Sequence, residues 1–147
     1  MYDRSLMLVD SAIESMGQVF MKSIEVSQPI SIEQGLLQSE IGVLIGIMGD
    51  VQGRLIFEGE RHTFSRLGES MFGMPLTGDM LHSFVGEMAN MIAGNTSTLL
   101  SGKGKHVDIT PPTVMVGQME IYGFKSGVSV SAALDQVGTI RIALLQN

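Results

Sequence analysis

The sequence predicts an α+β fold in which long helices pack on one face of a mostly antiparallel sheet. Three observations lead there. Two long stretches carry apolar residues at intervals of three and four, the period of a helix face. Several shorter stretches alternate with a period of two. The helical stretches stand before and between runs of strands, an order that favours helices layered on an antiparallel sheet. At 147 residues the chain fits one domain, 1–147, long enough to bury a core without disulfides or metal.

From Ser5 to about Lys22, Leu6, Val9, Ile13, Met16 and Phe20 recur on one helix face. Ile41, Val43, Ile45 and Ile47 then alternate with their neighbours up to Gly49-Asp50, and a second strand follows from Gly53 to Glu58, which makes a hairpin the simplest reading. Phe64, Leu67 and Met71 mark a short helix that stops near Gly73 and Pro75, because proline cannot continue the hydrogen-bond ladder. A long helix runs from about Asp79 to Ser101. Beyond it the pattern is strand-like: Val107 and Ile109, Val114 and Val116, a piece around Ile121, then Val128 to Leu134, and last Ile140 to Leu144. Gly117, Gly127 and Gly138 are the expected turns between the later strands.

Composition narrows the partners. The chain is 44% apolar with no Trp and 12 Met, so its core is aliphatic with thioethers as adaptable filler. Nine Lys and Arg against fifteen Asp and Glu give a net charge of -6, which opposes nucleic acid and anionic lipid alike. Neither is expected to bind. The absence of Cys removes disulfide, redox dithiol and thiolate metal chemistry. The amino terminus carries Asp3 and only a short apolar run before Asp10, so it reads as neither a secretory signal nor a membrane span. The cytoplasm is the expected address.

The long helix holds the candidate site. At about 100° per residue, Leu81, Val85, Met88, Ile92 and Leu99 fall on one side, with Phe84 and Met91 at its margin, and that side should pack on the sheet. Ser83, Glu87, Asn90, Gly94, Ser97 and Ser101 form the opposite stripe. Gly86 and Ala93 flank it on one side, where missing side chains would let another backbone come close. Met80 and Met91 flank it on the other. Each interior glycine costs about 1 kcal/mol relative to alanine, so something other than helix stability favours this surface. Any surface helix has a polar face, and Ser, Glu and Asn there are ordinarily just solvated. What sets this ridge apart is one carboxylate and one carboxamide a turn apart between smooth flanks. A neutral carboxamide cannot act as a general base, but it can orient a water. That suits phosphoryl hydrolysis, where the protein mostly positions groups and neutralises charge. Glu87 reads better as an anchor for a cation on a partner.

The spacing Ser83, Glu87, Asn90, that is Ser or Asp, three residues, Glu, two residues, Asn, followed further on by HVDITPPTV, resembles the CheC/CheX/FliY phosphatases of bacterial chemotaxis. Its likeness to the CheX members is the strongest. The resemblance rests on GEMANMIAGN and GKHVDITPPTVMVG, and the order of elements over nearly the whole chain is compatible with it. It implies a CheC/CheX-like fold and a phosphatase that removes the phosphoryl group from the aspartate of a phosphorylated CheY-like response regulator. By position, Asn90 would enter the regulator's acidic pocket and orient the attacking water, and Glu87 would pair with a lysine there. Ser83, Gly86, Met91 and Gly94 would form the surrounding partner-binding surface. The resemblance places magnesium in the regulator, with no cofactor or metal in this chain, and it implies a homodimer joined through sheet edges. CheC relatives carry two such sites. The first helix here offers Asp10, Glu14 and then Gly17 at the matching spacing, with Gly17 where the water-orienting Asn should stand. Whether chance or vestige, that helix should be catalytically silent.

Other features carry less. His62, His82 and His106 lack the paired spacing of a metal site. SGKGK, Ser101 to Lys105, follows a helix and precedes a strand, the reverse of a phosphate-binding loop, and reads as a helix stop with a basic turn. Asn95-Thr96-Ser97 is a glycosylation triplet in mid-helix, and no G-x-S-x-G motif occurs. The residues alone leave two rivals open: a binding module that docks a receiver domain or motor protein on this ridge without hydrolysis, and a structural subunit whose ridge meets its own copy.

Overall fold

The structure, a computed structural model, describes residues 4–33, 36–38 and 40–147; Asp3 lies outside them. Helix α1 spans Arg4–Phe20, followed by strands β1 Ile24–Val26, β2 Ile30–Ile32, β3 Leu36–Gln38, β4 Ile41–Gly49 and β5 Gly53–Gly59. Then come α2 Arg61–Phe72, α3 Gly78–Gly102, β6 Val107–Ile109, β7 Thr113–Val116, β8 Met119–Ile121, β9 Ser126–Leu134 and β10 Gly138–Gln146. The expected helices, hairpin and later strands are all present. The three short strands between α1 and β4 have no counterpart in the sequence-based expectation.

Eight strands form one sheet in the order β1-β9-β10-β5-β4-β6, with β2 also on β9 and β7 also on β4; β3 and β8 pair separately. Every recorded pairing is antiparallel. Because side chains alternate across a strand, one face of the sheet presents Val43, Ile45, Leu55, Phe57, Val130, Ile140 and Ile142 to the main core, which also holds the buried residues of the helices. The other face carries a smaller cluster of Ile56, Ala143, Leu145 and Ile121.

The order conceals a duplication. Each half runs helix, two short strands, a ribbon strand, then a long hairpin, and the short strands of each half pair with the long strand of the other. Between β1 and β2, Ser27 N donates to Ser131 O and Ser27 Oγ accepts from Ser131 N, both at 2.9 Å. Between β6 and β7, Thr110 N donates to Gly46 O at 3.0 Å and Thr110 Oγ1 accepts from Gly46 N at 2.8 Å. In both halves a hydroxyl residue shortly before a proline, Pro29 or Pro111-Pro112, keeps the ladder satisfied at the break that the proline imposes. Ser27 and Thr110 stand 83 residues apart, as do Pro29 and Pro112. The same offset carries Glu87 and Asn90 back to the first turns of α1, near Arg4 and Met7, not to Glu14 and Gly17. The match of Asp10, Glu14 and Gly17 to the ridge pattern is therefore out of register with the structural repeat, which favours chance over vestige.

Helix α1 packs against α3 through small residues. Ser11, Ala12 and Ser15 are fully buried, and Ser15 Oγ donates to Ile92 O at 2.9 Å. Lys103 Nζ at the end of α3 donates to Ser11 Oγ at 2.9 Å. The buried face of α1 is thus broader than the stripe of large apolar residues, while Leu6 and Ile13 are only half-buried. Two turns differ from expectation. Gly127 lies inside β9, where a Cβ would come within 2.9 Å of Leu145 Cδ2, and the positive φ before that strand is at Gly123 (φ 87°). The β9–β10 turn occupies residues 135–137 with Gln136 left-handed, and Gly138 opens β10.

Candidate functional site

Helix α3 has the length and seating of a rigid support. No proline interrupts Gly78–Gly102, Asp79 in its first turn complements the helix dipole, and Leu81, Phe84, Val85, Met88, Ala89, Ile92, Ala93, Thr96 and Leu100 are buried. The expected core residues Leu81, Val85, Met88 and Ile92 are on the buried side. Leu99 is half-buried, and its neighbour Leu100 takes the core position.

Ser83, Glu87 and Asn90 are exposed, on the side away from that core. Three residues of helix set Glu87 and Asn90 about 4.5 Å apart along the axis and about 60° apart around it, so the two side chains leave one ridge side by side. Among the described residues, none of these three side chains makes a hydrogen bond or ion pair within the chain; the side-chain bonds of α3 come from His82 and from Asn95 onward. A carboxylate and a carboxamide on a fixed scaffold, with their polar atoms uncommitted, are available to a partner's groups.

The flanks divide. Met91 is exposed and Gly94 is half-exposed, with open space where its Cβ would be. Gly86 is corrected: it is buried, and a Cβ there would lie 3.1 Å from Val114 Cγ2 of β7. The close approach it permits is made by the chain's own strand, so Gly86 seats the ridge on the sheet and offers no surface to a partner. Asn95, for which the sequence offers no role, donates from Nδ2 to Gln18 Oε1 at 2.8 Å and ties α3 to α1. His82 Nε2 lies 3.3 Å from Arg61 Nη1 and links α3 to α2. Among the described residues no three His, Asp or Glu gather as metal ligands would, and no helix is long and apolar enough to cross a membrane.

The elbow before the ridge, apart from Met80, has no counterpart in the sequence-based expectation. Phe72, Met74 and Met80 are exposed beside Ser83 and Glu87. The signal was the run MFGMP, Met71 to Pro75, in which large apolar residues surround a helix stop.

The family model described as chemotaxis phosphatase CheX matches residues 41–130, a span that contains the whole ridge. The chain belongs to the CheX family. A Thermotoga maritima protein named CheY-P phosphatase CheX is 31% identical over 114 residues, covering 76% of this chain and 74% of that one. The crystal structure of CheX from Desulfovibrio desulfuricans superposes with a TM-score of 0.80 at 17% identity, covering 97% of this chain and 98% of that one. The CheX-CheY-BeF3-Mg complex from Borrelia burgdorferi gives 0.76 at 23% identity over the full length of both chains. These structural likenesses establish the CheX fold. Membership in the family makes the chain a phosphatase, a hydrolase by class.

Proposed function

We propose that the chain dephosphorylates the phosphoaspartate of a CheY-like response regulator, with Asn90 orienting the attacking water and Glu87 anchoring the partner. One observation carries this reading: Glu87 and Asn90 leave α3 exposed and adjacent while the opposite side of the helix is locked in the core. The name of the Thermotoga maritima relative supports the substrate class.

In the proposed step, water adds to phosphorus as the bond from phosphorus to the aspartate oxygen breaks. The products are inorganic phosphate and a free carboxylate. Such a transfer asks the protein for alignment more than for covalent chemistry. The carboxamide of Asn90 is neutral and both donates and accepts, so it holds a water in line without taking its proton. Glu87, a turn earlier, pairs with a cation of the regulator and fixes the approach of α3. Magnesium belongs to the regulator in this scheme, where it neutralises charge on the phosphoryl group. A homodimer through sheet edges would form at the β1/β2 or β6/β7 border of the eight-stranded sheet.

The direct test is decay of a panel of phosphorylated receiver domains with and without the chain. Accelerated release of phosphate from at least one CheY-like member is expected. Binding without acceleration of any member would contradict the proposal and leave a docking module in its place. Glu87→Ala should raise KM more than it lowers kcat, as removal of an anchor does.

A further inference from the structure

Just before the catalytic ridge, the elbow between α2 and α3 forms an open groove of about 670 Å³. Its apolar lining comes from Phe72, Met74, Leu76, Met80 and Phe84, and Ser83 and Glu87 line it as well. Three of these large side chains face solvent together: Phe72 is 61% exposed, Met74 55% and Met80 63%. The groove is preformed. Leu76 folds back over Gly68, where a Cβ would sit 2.6 Å from Leu76 Cδ1, and Ser65 Oγ donates to Leu76 O at 2.9 Å. Phe72 and buried Phe84 meet edge to face with centroids 5.8 Å apart.

We infer that this groove is a second docking element for the same response regulator, receiving apolar side chains of its surface beside the acidic pocket. This rests on the reading of Glu87 and Asn90 given above. Glu87 belongs to both the groove and the ridge, so a partner seated on Glu87 lies against the groove. A second copy of the chain seated there would cover Glu87 and compete with the regulator, which disfavours it as the occupant. Clustered exposed apolar side chains of this kind mark interaction sites on soluble proteins. Thioethers suit a partner that must bind, react and leave, because their flexible stems repack at little cost. The polar ridge would then supply chemistry and orientation, and the groove much of the affinity.

The test is steady-state turnover of phosphorylated regulator by the double variant Met74→Ser/Met80→Ser. Both side chains are exposed and outside the aromatic pair, so the fold should persist, as circular dichroism would verify. The expected result is a rise in KM of roughly tenfold or more with kcat nearly unchanged, as for loss of buried apolar contacts at an interface. An unchanged KM in an otherwise active protein overturns the groove and leaves the phosphatase reading intact. A change in sedimentation with KM unaltered assigns the groove to a second copy and also overturns it. Failure of the wild-type chain to accelerate decay removes both proposals together.

Discussion

Gly86 of α3 rests against Val114 of β7 so closely that a Cβ would stand 3.1 Å from Val114 Cγ2, while Gly94, two turns on, faces open space. Two glycines with the same helix propensity therefore have opposite reasons to be there. At Gly86, valine forces Val114 or the helix to move, and we expect a loss of about 1–3 kcal/mol from overpacking. At Gly94, alanine meets nothing and should stabilise by about 1 kcal/mol through helix propensity. Urea denaturation of Gly86→Val and Gly94→Ala checks both signs. If Gly94→Ala gains stability but loses regulator affinity, its cost to the helix is explained by docking.

Thr110 bridges the break between β6 and β7 by accepting from Gly46 N through its hydroxyl. Thr110→Val keeps the shape and removes the acceptor, leaving a part-buried amide unpaired. The expected cost is about 1–2 kcal/mol, read from the shift in denaturation midpoint. No shift would show that water replaces the hydroxyl at that amide.

Much of this architecture was legible from residue patterns, and the exceptions have physical causes. The ridge of α3 showed clearly because 25 residues give the helical period several turns in which to repeat. The β4–β5 hairpin showed through its alternation. Strands β1 and β2 did not, since they are short and mostly exposed and so lack the alternation of exposed and more buried residues that marks the equally short β6 and β8. Their partner β9 lies a hundred residues away in sequence, so no local signal marked the pairing of β1 or β2. The role of Gly86 was misread for the same reason: the surface it approaches is β7, brought there by the fold. Asn95 was opaque because its partner Gln18 lies on another helix.

The mismatch between α1 and the structural repeat bears on the number of sites. Glu14 stands six residues before the end of α1, whereas Glu87 stands fifteen before the end of α3. We therefore expect Glu14→Ala to leave regulator turnover unchanged, and Gly17→Asn to add no second site. A doubled rate per chain in Gly17→Asn would show that α1 can present its side chains to a regulator after all.

Asp50, in the β4–β5 turn, accepts from His106 N through Oδ2 at 2.8 Å. That backbone bond is the main reason its carboxyl lies below the ordinary aspartate range; desolvation opposes it and comes next in weight, while the charges of Lys105, Arg4 and His106 lower it further. A carboxyl lowered by folding stabilises the protein above its unfolded pKa and loses that contribution as the pH falls through its folded one. Asp50→Ala should thus be less stable than wild type at neutral pH, with the gap holding to about pH 5 and closing only below the usual carboxylate range near 4. Paired denaturation curves across that window provide the check; a gap that does not vary with pH would mean the charged form gains nothing from folding.

The proposed hydrolysis depends on the carboxamide at position 90. With a phosphorylated CheY-like regulator at saturating concentration, Asn90→Ala should lower kcat about a hundredfold, equivalent to about 2.7 kcal/mol of barrier, while KM changes little. An Asn90→Ala protein that releases phosphate as fast as wild type would contradict the proposed role of Asn90 in placing the water.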